Sequence, residues 1–160
     1  INLEDFYDKS ERLSIDFKDF LTSIPLGDSL AYILKEKPFR EKLNLLDINQ
    51  YESKHVAITC SVDAIVPTWA YMLLSLTLES KAKKVIVGSM ETLENILFNE
   101  TLNKIDAKTY IDAKVVIKGC NKFNVPINAY AQIANLLKPY AKSIMYGEPC
   151  STVPLYKRTK

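Results

Sequence analysis

The chain has 160 residues, 48% of them hydrophobic and 25% charged, which predicts one soluble globular domain over residues 1–160. Lys and Arg number 21 against 19 Asp and Glu, so the formal net charge is +2, too small an excess for a phosphate-backbone binder, and no nucleic-acid partner is expected. The longest apolar stretch, residues 64–76, is broken by Pro67 and falls short of the roughly 18 residues a membrane-spanning helix needs, so no membrane partner is expected either.

Leu13, Ile15 and Phe17 alternate with polar neighbours, the period of an edge strand. Residues 38–46 read as a helix. A short apolar run at 55–60, with β-branched Val56, Ile58 and Thr59, suits a buried parallel strand. Pro67 then opens a helix to about residue 78, since proline is well tolerated at the first helical position. Residues 84–87 form a second strand, closed by Gly88. A helix over residues 90–104 carries Leu93, Ile96, Leu97, Leu102 and Ile105 at helical spacing. Residues 114–119, 126–137 and 143–146 run through strand, helix and strand again, closed by Gly147. Pro154 is expected to open a last helical turn through Leu155 and Tyr156, with Lys157, Arg158 and Lys160 as a solvated tail.

An internal repeat underlies this order. Residues 39–88 laid over 98–147, an offset of 59, match at 16 of 50 positions without a gap. About 3 matches are expected by chance at average composition. The matches include Asp47/Asp106, Pro67/Pro126, Tyr71/Tyr130 and Gly88/Gly147, which hydrophobic rhythm alone would not align. The predicted fold is therefore α/β, a three-layer, mostly parallel sheet built from two duplicated βαβ units. A duplicated fold carries its own internal symmetry, so no dimer is required.

In an open parallel sheet, ligands sit outside the carboxyl ends of the strands. All three cysteines, Cys60, Cys120 and Cys150, fall at such ends, each shortly before a Val-Pro pair. A cysteine ahead of a helix N-terminus meets unpaired N–H groups and the positive end of the helix dipole, which favour the thiolate, the form that binds metal or attacks. If the first strands of the two copies are neighbours, about 4.8 Å apart, Cys60 and Cys120 reach one shared ligand. Cys150 occupies the second-copy position that Glu91 holds in the first, and Asp63, Glu91 and Glu148 supply nearby carboxylates. Three thiolates with a carboxylate or an open fourth position suit zinc or an iron-sulfur cluster. The spacing matches no C-x-x-C signature, so topology carries this expectation. Three cysteines cannot all pair within one chain, and no signal peptide is recognised. A reducing cytoplasm is expected.

Other chemistry is disfavoured. His55, the only histidine, begins the strand that ends at Cys60 and lies roughly 16 Å from it, too far for a catalytic pair, and reads as a surface or strand-start residue. With four glycines and no phosphate-cradling glycine motif, no nucleotide is expected. Trp69, Tyr71 and Met72 are expected in the core, and the hydroxyls of Tyr71 and Tyr130 need partners if buried.

The segments TCSVDAIVPTWAYML at 59–73, IKGC at 117–120 and KSIMYGEPCSTVPLYKR at 142–158 resemble a small bacterial family, a domain of unknown function found mainly in Bacteroidetes. The resemblance runs over nearly the whole chain from about residue 15, and the last segment is its most specific part. It implies a small cytoplasmic protein without an established activity, and partners among iron-sulfur assembly proteins. The chain departs from the family pattern around residues 23–31, where it carries extra residues.

Three readings follow. The first is a metal or iron-sulfur binding or assembly protein using Cys60, Cys120 and Cys150 as ligands, with Asp63, Glu91 or Glu148 adjusting the site. The second is a thiol enzyme with Cys60 as nucleophile and Asp63 supporting proton transfer. The third is a non-catalytic structural or interaction domain.

Overall fold

The run His55-Val56-Ala57-Ile58 is buried along its length, and a strand buried on both faces needs a partner on each edge. The computed structural model, which describes residues 1–119 and 121–159, supplies both. Strand β1 (Arg12–Asp16) and strand β5 (Lys84–Val87) flank β4 (His55–Thr59), and all three run parallel. Between β1 and β4 the chain forms an antiparallel hairpin, β2 (Thr22–Leu26) and β3 (Ser29–Ile33), followed by helix α1 (Glu36–Leu45). Helix α2 (Thr68–Glu79) carries the chain from β4 to β5. Helix α3 (Met90–Leu102) follows, then β6 (Lys114–Ile117), α4 (Ile127–Leu137), β7 (Ser143–Glu148) and β8 (Ser151–Lys157). The protein is mixed α/β.

The chain divides into two compact units, and the division falls within α3. One comprises residues 10–93; its core joins Phe17, Phe39, Val56, Ile58, Leu74 and Leu78. The other comprises residues 1–9 with 94–160; Leu3, Phe98, Val115, Ile133, Leu137 and Ile144 lie in its core. Each fully buried aliphatic or aromatic side chain of this kind is worth about 1.5–3 kcal/mol of transfer free energy.

The strand-helix-strand segments carry the same local details 59 positions apart. His55 pairs with Lys84 and Lys114 with Ser143, so both parallel registers coincide under that offset. Asp47 and Asp106 cap short 3-10 turns, each side chain accepting a backbone N–H two residues on at 3.1 Å. Ser53 and Asp112 both sit at φ 58°, and their N–H groups donate to the carbonyls of Lys81 and Tyr140 at 3.0 Å.

Three expectations need correction. β4 has partners on both edges and β6 pairs with β7, so the first strands of the two copies are not neighbours in one sheet. The segment after Pro154 is not helical. The two-residue turn Pro149-Cys150 sets Ser151 directly opposite Glu148, and the antiparallel ladder with β7 is the nearest set of hydrogen-bond partners. Pro154 is tolerated because β8 is the outer strand and its register slips between Ile144 and Met145, next to the proline. The terminal basic residues are not simply a solvated tail either. Lys157 ends β8, and Arg158 donates to the Asp112 carboxylate at 2.6 Å and to the carbonyls of Tyr140 and Ala141. Lys160 lies outside the described residues.

Residues 22–33 form the β2–β3 hairpin. Its turn is Gly27-Asp28, with Gly27 at φ 61°, the glycine-first arrangement that two-residue hairpin turns favour. Among the described residues, no helix is long and apolar enough to cross a membrane.

Candidate functional site

The carboxyl ends of β1 and β4 meet at a knot of polar contacts. Asp16, the last residue of β1, accepts the backbone N–H of Lys18 at 2.9 Å and of Ser61 at 3.1 Å, and the Ser61 hydroxyl donates to its other oxygen. Burial pushes the Asp16 carboxyl up, but the Ser61 hydroxyl, the two N–H groups and the Lys18 charge outweigh it and hold the group below the usual carboxylate range. The Thr59 hydroxyl donates to the Ile15 carbonyl at 3.4 Å, a further tie between the two strands.

Cys60 follows directly on β4 and is half-buried. Its thiol donates to the Val62 carbonyl at 3.4 Å. Burial first, then the neighbouring Cys60 side chain, pushes the Tyr71 phenol above its ordinary value. Tyr130, at the matching position of the other unit, accepts from the Asn121 side chain. Tyr130 thus has a partner for its half-buried hydroxyl.

The other sequence-derived candidates lie on different elements. Cys150 is exposed in the β7–β8 turn, and Glu148 ends β7 beside it. Asp63 is exposed in the loop after β4, and Glu91 is exposed in the first turn of α3. Cys120 lies outside the described residues. Among the described residues, no group of three or more His, Cys, Asp or Glu is placed to hold a metal ion. His55 is the first residue of β4, as expected, but is buried there.

The largest structural surprise is α2. Trp69 and Met72 are not core residues: 39% and 60% of their surfaces are exposed, and Leu76 is exposed at 67%. Ala70, Leu74 and Leu78 take the buried stripe instead. Trp69 lies over the edge of the core, its ring 5.9 Å from Phe39, with the Arg40 guanidinium 5.7 Å above it. Thr68, Tyr71, Met72, Ser75 and Leu76 line a groove of about 460 Å³ with Val87 of β5, itself 52% exposed. The wall is almost wholly apolar. Sequence reasoning missed this surface because a helix apolar on all sides reads as buried, yet it also marks a helix docked on one side and waiting on another. The absence of any charged residue from 64 to 78 is the signal that could have found it.

The family described as protein of unknown function DUF2480 matches residues 1–158. The chain belongs to this family. No curated protein and no solved structure matches it. The family description carries no activity, so any functional reading of this member starts from its geometry.

Proposed function

We propose that this member of the family is an interaction domain that binds an apolar segment of another protein in the groove between α2 and β5. The observation that carries the reading is the grouping of Met72, Leu76 and Val87, all more than half exposed, around one apolar groove of about 460 Å³. Scattered exposed apolar residues are ordinary on a protein surface; a contiguous apolar wall marks an interaction site. Further support comes from the knot formed by Asp16 and Ser61, which ties down the start of the loop leading into α2. A rigid wall lowers the ordering cost of binding.

The test is selection of random displayed peptides on the immobilised wild-type protein, counter-selected on the Leu76→Glu variant. Leu76 is exposed, so the change leaves the core intact. Convergent apolar peptides that bind the wild type and lose at least about tenfold in affinity on the variant support the reading. Peptides that bind both proteins equally, or no enrichment at all, would overturn it.

A further inference from the structure

The second unit already contains a worked example of how such a groove is filled. There β8 adds antiparallel to the outer edge of β7, pairing Ser143 with Lys157 and Ile144 with Tyr156. Leu155 and Tyr156 of β8, with Ala134 and Asn135 of α4 and Lys138 just after it, bound a hollow of only about 200 Å³. In the first unit, β5 holds the position of β7 under the offset of 59, and α2 that of α4. Among the described residues, β5 ends its sheet with no strand on its outer edge. The consequence shows in burial. Ser143 and Ile144 of β7 are buried, whereas the matching Lys84 and Val85 of β5 are only half-buried.

Charge decides what kind of strand fits. β8 ends in Lys157, and Arg158 just beyond it is held by Asp112 at 2.6 Å. The residue matching Asp112 is Ser53, which is neutral, and the residue matching Tyr140 is the exposed Lys81. A strand laid antiparallel on β5 runs its C-terminal end past the start of β5 toward Ser53 and Lys81, as Arg158, just beyond β8, reaches Asp112 and the Tyr140 carbonyl. A basic end, such as that of β8 from a second copy, would meet like charge there; an acidic end is attracted.

We propose that the partner binds as an extended strand added antiparallel to the outer edge of β5, with uncharged side chains over the α2 groove and acidic residues at its C-terminal end. This rests on the groove reading above and goes further, assigning the partner's backbone conformation, direction and charge. Main-chain hydrogen bonds to a sheet edge supply affinity, and alternate side chains in the groove supply selectivity.

Two fluorescent peptides with the 7-residue length of β8 test it by anisotropy: both carry an apolar, β-branched body, one ending in two glutamates and the other in two lysines. The acid-ended peptide is expected to bind wild type about tenfold or more tighter than the base-ended one. Lys81→Glu, on an exposed residue outside the groove wall, is expected to cut that preference to about twofold or less. Methylating alternate peptide nitrogens that face β5 is expected to abolish binding. Equal affinity for both peptides, binding that survives methylation in either register, or no binding by either peptide overturns strand addition. Loss of selected peptides on Leu76→Glu would still leave the groove reading standing in those cases. A concentration-dependent dimer that dissociates on Leu76→Glu would assign the surface to a second copy and overturn the proposal.

Discussion

Gly147 sits at φ 123°, and a Cβ built there would meet the Ser151 carbonyl oxygen at 2.5 Å. Backbone cannot yield as the end of a side chain does, so Gly147→Ala is expected to destabilise the β7–β8 hairpin by at least about 1–3 kcal/mol, read as a lower denaturant midpoint. Gly88, its counterpart 59 residues earlier, sits at φ 150°, where a Cβ would meet only the Thr92 side chain at 3.1 Å, so Gly88→Ala is expected to cost less. Asp16 gives a pH-dependent prediction. Its folded-state pKa lies below the ordinary value, so its contribution is fully present above the unfolded pKa and is lost as pH falls through the folded one. The stability gap between wild type and Asp16→Asn is therefore expected to stay constant near neutrality and to close as urea titrations are taken below about pH 4. A gap that stays unchanged in acid would show that the Ser61 and Lys18 contacts do not depend on the Asp16 charge. Neither role was legible in the sequence, where Asp16 is only a polar residue in an alternating strand. The partner that makes it special, Ser61, is 45 residues away.

At the scale of elements, α2 separates what periodicity can and cannot tell. Its position and length follow closely from Pro67 and the uncharged run, and Leu74 and Leu78 lie on its buried stripe. Its outward face is as apolar as its inward one, so no pattern of polar residues marks which side is covered. Truncation separates the two faces. Leu74→Ala removes a fully buried side chain and is expected to cost about 2–5 kcal/mol, whereas Leu76→Ala, at an exposed position, is expected to stay within about 0.5 kcal/mol. Chemical denaturation of both variants checks this, and equal costs would mean that Leu76 is covered in solution. β8 shows the opposite failure of local reasoning. Val-Pro before Leu-Tyr looks like the Val-Pro that precedes α2 and α4, but a tight turn places the segment against β7 and the ladder prevails over the proline signal. The hairpin β2–β3 had no strand signal strong enough to read, because both of its strands are largely exposed and Pro25 interrupts the first.

For the whole molecule, two units with separate cores replace the picture of one continuous sheet, while the α/β class holds. The order of strands and helices within the two strand-helix-strand segments was present in the sequence, because capping by Asp47 and Asp106, the helix starts after Pro67 and Pro126 and the apolar runs at His55–Thr59 and Lys114–Ile117 are local effects. Their boundaries needed no knowledge of distant residues. What the tertiary structure alone decided is which strand edges find partners. A strand's composition shows that its faces are apolar, but hydrogen bonding along its edges is the same for every sequence and names no neighbour. Thus β4 took β1 as its second partner, β7 took β8, and among the described residues β5 has no strand on its outer edge, beside an exposed apolar helix face. The expectation that Cys60 and Cys120 share a ligand rested on the first strands of the two copies being neighbours, and β4 has β1 and β5 on its edges instead. The groove became visible only once the tertiary pairing was known, since hydrophobicity specifies that a surface avoids water and pairing determines whether anything covers it.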